Sequence, residues 1–105
     1  MVTQIEDRQL EEYVKTHEIV VLDIFTTWCG PCTTQAAILT GLESEVDSKR
    51  VSIIKMDADQ CPTTCQRFGV TAIPTVVLFK EGKVVTNHVG VWSKADLLRE
   101  IEALL

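Results

Sequence analysis

The chain has 105 residues, 46% of them apolar, and a net charge of −5. That apolar fraction excludes a disordered chain, and the length suits a single domain, residues 1–105, burying one core without disulfide staples. No basic cluster exceeds Lys49-Arg50, so a nucleic-acid groove, which needs a clustered positive field, is excluded too.

Val2 to Ile5 reads as a short strand. Asp7 is placed to cap the helix that follows, with Leu10, Tyr13, Val14 and His17 at helical spacing. Ile19 to Phe25, IVVLDIF, is nearly all apolar and β-branched, as a strand covered on both faces should be. Leu39, Leu42 and Val46 then recur at helical spacing, with Gly41 costing that helix about 1 kcal/mol relative to Ala. Val51 to Asp57 is the next strand. CPTTCQRF starts a short helix, with Pro62 at its first position. TVVLFKEGKVVTNHV reads as two strands joined by a tight hairpin at Glu81-Gly82. Ser93 and Asp96 resemble a capping box, after which Leu97, Leu98, Ile101, Leu104 and Leu105 form one apolar helix face.

The order β-α-β-α-β-α-β-β-α implies parallel βαβ units completed by an antiparallel hairpin. The expected class is α/β, a central mixed sheet with helices on both faces. The N-terminus, MVTQIEDRQLEEYVK, is charged early and has no apolar stretch, so no secretory signal is expected. The longest apolar runs, Ile19 to Leu22 and Val76 to Phe79, are too short to span a bilayer. A cytoplasmic protein is expected, a setting where paired cysteines are more often catalytic or metal-binding than structural.

The chain has four cysteines. Two stand in Trp28-Cys29-Gly30-Pro31-Cys32, where a buried strand hands over to a helix. The thiolate, not the thiol, is the nucleophile of disulfide exchange. Unpaired N–H groups and the positive end of the dipole at a helix N-terminus lower a cysteine pKa. Cysteines at i and i+3 on a helix have Cα atoms about 5 Å apart, within disulfide range. Cys29 can therefore attack and Cys32 can close the ring behind it. Pro31 suits the first helical turn. A zinc knuckle would need a second pair in register; the other two cysteines, in CPTTC, are spaced differently and lie far away, and no histidine is near either pair. No metal is expected.

Asp23 interrupts an otherwise apolar strand. Burial should raise its pKa toward neutrality, making it a usable proton acceptor. The alternative is a structural carboxylate paired with Lys55 on the adjacent strand. Pro74 cannot donate to a sheet and belongs at a strand start, where sequence alone favours a trans Ile73–Pro74 bond. Cys61 and Cys65 have four readings, the last being a second catalytic centre, which Pro-Thr-Thr in place of a CxxC turn disfavours. As N-cap and first-turn residues they could form a strained, easily reduced regulatory disulfide. As free cysteines they could be inert core groups, Cys65 preceding Phe68 by one turn. A metal site ranks third.

Asp23 in VVLDIF, WCGPC itself, Lys55 in IIKMD, Ile73-Pro74-Thr75 in VTAIPTVVLFKEGK and Gly90 in HVGVWSK together resemble the thioredoxin family over essentially the whole chain. The resemblance implies a protein-disulfide reductase, a monomer with no bound cofactor. It would be recharged with electrons from NADPH by a separate thioredoxin reductase, and would act on disulfide-containing client proteins. It makes Cys29 the attacking thiolate and Cys32 the resolving thiol. Asp23, tuned by Lys55, would help deprotonate Cys32. Trp28, Gly30, Pro31, Ile73, Pro74 and Gly90 would contact substrate, and Ile73–Pro74 would be cis. Trp28 could also be a core aromatic; Trp92 reads as packing or surface, and His17 and His88 as surface. Three departures stand out: Thr33 replaces a lysine common in the family, Ala37 replaces a helix-kinking proline, and CPTTC is not a general family feature. Two further readings are a docking scaffold with incidental cysteines and a dithiol oxidase or isomerase.

Overall fold

The structure, a computed structural model, describes residues 2–105. Five strands, β1 (Thr3–Gln4), β2 (Ile19–Phe25), β3 (Val51–Asp57), β4 (Thr75–Lys80) and β5 (Lys83–Val89), form one sheet in the order β1-β3-β2-β4-β5. The helices are α1 (Leu10–Thr16), α2 (Gly30–Glu43), α3 (Pro62–Arg67) and α4 (Lys94–Leu104). β2 is central, parallel to β3 and antiparallel to β4. Its side chains alternate between two cores, as the strand period requires. Val20, Leu22 and Ile24 pack with Leu10 and Val14 of α1 and with Cys61 at the start of α3. Ile19 and Val21 pack with Leu39 and Leu42 of α2 and Leu97 and Ile101 of α4. The mixed sheet with helices on both faces is the α/β arrangement expected.

The hairpin turn has φ of 50° at Glu81 and 81° at Gly82. Positive values at both central residues are what a tight two-residue turn between twisted strands needs. Gly41 lies inside α2, where an added Cβ would meet only the Lys94 side chain at 3.8 Å.

Some local expectations change. Asp7 does not cap α1. It opens a 3-10 turn, Asp7–Gln9, whose entry is closed by Glu6 N–H donating to Gln9 Oε1 at 2.9 Å. The Asp7 carboxylate reaches α3 instead. It accepts the N–H groups of Thr63 (3.3 Å) and Thr64 (2.9 Å) and the Thr64 hydroxyl (2.6 Å). Distant contacts thus decide which helix end the acid serves. Leu105 lies past the last turn of α4 and is exposed, while Leu98 and Leu104 are half-buried. His17 and His88 are half-buried, stacked on Tyr13 and Trp92.

α2 is joined to the loop before α4 by one buried side chain. Gln35 is fully buried; its Nε2 donates to the Trp92 carbonyl at 3.2 Å, and its Oε1 accepts the Trp92 N–H at 2.6 Å. Both backbone groups of Trp92 depend on this amide. Gln35→Leu is expected to lower stability by about 2–4 kcal/mol, since it strands two buried polar groups. Urea unfolding checks this, and an unchanged midpoint would refute the clamp.

Candidate active site

β2 ends at Phe25, and a short turn leads into α2. Cys29 is the N-cap of that helix, with extended backbone (φ −110°, ψ 115°) that turns its side chain onto the helix end. Its Sγ accepts the Cys32 N–H at 3.2 Å. Cys29 and Cys32 are disulfide-bonded with Cα atoms 5.3 Å apart. Cys29 is half-buried and Cys32 is buried, so one sulfur faces outward and the other stands behind it. On reduction, the same backbone N–H and the end of a 14-residue helix favour the Cys29 thiolate. No charged side chain occupies the first turn, because Thr33 follows Cys32. Ala37 lies within α2, which runs unbroken.

A second loop meets this turn. The Ile73–Pro74 bond is cis, as the resemblance implied and against the trans geometry favoured by sequence alone. The Ile73 carbonyl oxygen lies 3.9 Å from Cys29 Sγ. Pro74 is buried, and its carbonyl accepts the Gly90 N–H at 2.8 Å. Gly90 has φ 89°, a left-handed conformation that favours glycine. Gly30 and Pro31 are exposed, and nothing stands within 4 Å of a Cβ built on Gly30.

Trp28 is not a core aromatic; it is 72% exposed. Its Nε1–H donates to Asp59 Oδ2 at 3.0 Å, and the Asp59 N–H donates to Asp57 Oδ1 at 3.0 Å. Asp59 was not foreseen, since a loop acid more than one element away has no local signal. Gln35 was also missed. It could have been found as the polar member of the buried stripe Cys32, Gln35, Leu39, Leu42.

Asp23 is buried on β2, opposite Lys55 of β3 and Val76 of β4. Burial pushes its pKa up to about 7, and the Lys55 charge pulls against that. The alternative reading, a direct pairing with Lys55, is not formed: among the described residues no ion pair or hydrogen bond joins Asp23 to Lys55, and Asp23 Oδ1 has no partner. The Lys55 ammonium lies over the Phe25 ring, 5.7 Å from its centroid. Asp23, Phe25, Thr26, Cys32 and Lys55 line one open pocket of about 310 Å³.

Cys61 and Cys65 are free thiols. Cys61 is buried and Cys65 half-buried, both against the core under α1. Their sulfurs face different carbonyls, Ile5 at 4.0 Å and Ala58 at 3.8 Å. Burial, then the negative charge of Asp7, raises both thiol pKa values. Cys61 is the N-cap of α3, but its side chain makes no cap bond. Among the described residues, no three His, Cys, Asp or Glu side chains cluster as metal ligands would.

A family model for thioredoxin matches residues 1–103. A thioredoxin from Chlamydia caviae is 39% identical over 101 residues, covering 96% of each chain. A thioredoxin from Mycobacterium bovis is 38% identical over 90 residues, covering 86% of this chain and 77% of its own. Among solved structures, oxidised mitochondrial thioredoxin 3 from Saccharomyces cerevisiae superposes with a TM-score of 0.85 at 30% identity, over 98% of this chain and 95% of its own. With a disulfide-bonded pair at a helix N-terminus and a family match along nearly the whole chain, the protein belongs to the thioredoxin family, the thiol–disulfide oxidoreductases.

Proposed function

We propose that this chain reduces protein disulfides with Cys29 as the attacking thiolate and Cys32 as the resolving thiol. The observation that carries this is the asymmetry of the pair: an outer sulfur holding a backbone N–H at 3.2 Å and a buried one behind it. Cys29 thiolate attacks one substrate sulfur, a Cys29–substrate disulfide forms, and the first substrate thiolate leaves. Cys32 thiolate then attacks Cys29 Sγ. The Cys29–Cys32 bond forms and the second substrate thiolate leaves. Two electrons and two protons pass to the substrate, and the protein ends oxidised. Electrons from NADPH, delivered by a separate thioredoxin reductase, restore the dithiol. The protein works as a cytoplasmic monomer without a bound cofactor.

An extended substrate segment pairs with the backbone around Ile73 and Pro74, beside Cys29. Exposed Trp28, with Val89 at 60% and Val91 at 40% exposure next to Gly90, supports an apolar rim for it. The open space at Gly30 and Pro31 lets the partner backbone approach the sulfurs. Asp23 accepts the Cys32 proton within their shared pocket, and Lys55 tunes it from a distance. Cys61 and Cys65 are packing thiols. Both sulfurs are held in the core, and their thiolates are disfavoured.

Cys32→Ser is expected to trap a Cys29–client mixed disulfide that Cys29→Ser cannot form. Non-reducing electrophoresis with a model disulfide substrate checks this, and trapping through Cys29→Ser would reverse the roles. A redox titration with peptide mapping is expected to close Cys29–Cys32 at low potential while Cys61 and Cys65 stay reduced. A distinct Cys61–Cys65 disulfide would overturn the packing assignment.

Asp23 carries a pH signature. Its folded pKa, about 7, lies well above the ordinary aspartate value of 3.8. The folded state therefore holds a proton that the unfolded chain releases, and stability falls as pH climbs through that window, by at most on the order of 4 kcal/mol. Asp23→Asn should remove this slope and stabilise the protein above neutrality. It should also slow mixed-disulfide resolution on the order of 10²-fold, the low end for general-base catalysis, and flatten its pH profile around 7. Stopped-flow resolution rates at several pH values decide it; a retained inflection in the variant would remove Asp23 from the mechanism.

A further inference from the structure

β5 ends at Val89, and the run Gly90–Ser93 leads from it to α4. A peptide unit is a rigid plane, so a bond to either of its polar groups holds the whole unit. The Val89–Gly90 unit is held by the Gly90 N–H, which donates to the Pro74 carbonyl at 2.8 Å. The Val91–Trp92 unit is held twice: His88 Nε2 lies 3.3 Å from the Val91 carbonyl oxygen, and the Trp92 N–H donates to Gln35 Oε1 at 2.6 Å. The Trp92–Ser93 unit is held by its carbonyl, which accepts Gln35 Nε2–H at 3.2 Å. The Gly90–Val91 unit between these anchors makes no hydrogen bond among the described residues, and Val91 is exposed. Gln35 stands one turn after Cys32 on the buried face of α2. Among the described residues, no other hydrogen bond joins this run to the helix that carries the sulfurs. An apolar side chain would pack in that stripe with no polar group to desolvate. What the amide adds is placement, since a satisfied buried polar pair fixes one geometry.

We propose that Gln35 is a positioning residue for client recognition: by clamping the Trp92 backbone to α2, it holds the unpaired Gly90–Val91 peptide unit where an extended client segment can bond to it. This role rests on the reading of the chain as a reductase of protein disulfides. The unit is placed beside the reaction through Gly90, whose N–H is tied to Pro74, next to the Ile73 carbonyl that lies 3.9 Å from Cys29 Sγ. An N–H and a carbonyl held in one plane bond another backbone whatever its side chains, as added strands do at a sheet edge. The partner class is therefore a client whose disulfide is flanked by extended chain with free backbone groups. Exposed Val89 and Val91 add apolar contact on either side of Gly90. Attack by Cys29 itself does not need this edge, because the N–H that its sulfur accepts belongs to Cys32 of α2. A small disulfide without a peptide backbone has nothing to pair with it.

Methionine matches glutamine in length and carries no amide, so Gln35→Met removes the clamp and keeps the volume. In single-turnover assays of the pre-reduced protein, the half-saturating concentration of insulin, as protein disulfide, is expected to rise by about 3- to 10-fold, the worth of one backbone hydrogen bond. The limiting rate should stay within about twofold, the split expected when binding and not chemistry is lost. The rate constant for insulin divided by that for the small disulfide dithiobisnitrobenzoate should fall by the same factor. Amide exchange at Trp92 should quicken by at least about tenfold. Leu10→Ala, a large-to-small change in the opposite core, lowers stability without touching this run and should keep the insulin half-saturation of the unaltered protein. An unchanged insulin half-saturation, an unaltered Trp92 exchange, an equal loss toward both disulfides, or the same loss in Leu10→Ala overturns the proposal. If the unaltered protein reduces the small disulfide and not insulin, the reductase reading itself fails and this role falls with it. Should Gln35→Met not fold, Gln35→Leu carries the same expectation and the same refutation.

Discussion

One carboxylate buried in the central strand is the constraint around which the rest of the site is arranged. β2 is the strand most enclosed by others, and its burial on both faces drives formation of the two cores. A charged group there opposes that burial. The conflict is resolved by holding Asp23 near its neutral form, with Lys55 too far to pair yet close enough to bias it. Had Lys55 closed a direct ion pair, the carboxylate would be a poor proton acceptor near neutral pH. The same strand fixes the position of the sulfurs. Its last residue is followed by a turn that must end at the N-terminus of α2, so the location of Cys29 is set by the strand that carries Asp23.

The surrounding loops meet the sulfurs because each is tied to something rigid. Pro74 opens β4, and its carbonyl holds Gly90. Trp92, just beyond, is locked to α2 through Gln35. Helix, proline loop and the segment before α4 thus form one connected backbone network around Cys29. Trp28 is held by a different route, through Asp59 and Asp57 at the end of β3. An apolar ring left 72% exposed is held by a polar bond at its edge, which orients the ring without burying it.

Much of this was legible in the sequence wherever a local rule and a buried pattern agreed. The apolar run of β2, the hairpin at Glu81-Gly82 and the placement of CGPC at a strand-to-helix junction all follow from period and turn chemistry. The acids and amides were less legible because their partners lie far along the chain. Asp7 looks like a cap for the helix next to it and caps α3 instead. Asp59 and Gln35 serve Trp28 and Trp92 across elements, and only a packed structure brings those groups together. Trp28 illustrates the opposite difficulty: hydrophobicity alone cannot distinguish a core ring from a contact surface.

The two cysteine pairs test how far residue type determines chemistry. Cys29 and Cys61 are both N-caps, each followed by a helix with proline in its first turn. A rule based on position alone would make both reactive. The difference lies in where the free N–H groups of the helix are directed. In α2 the Cys32 N–H points at Cys29 Sγ. In α3 the corresponding donors are taken by the Asp7 carboxylate, which adds a negative charge beside both thiols. α2 has 14 residues and α3 has six, so the dipole behind Cys61 is also shorter. A cysteine at a helix N-terminus gains thiolate stabilisation from that terminus only through donors that no other acceptor has claimed. Here a single aspartate from a distant turn takes the α3 donors, whereas in α2 the corresponding donor stays with the cysteine.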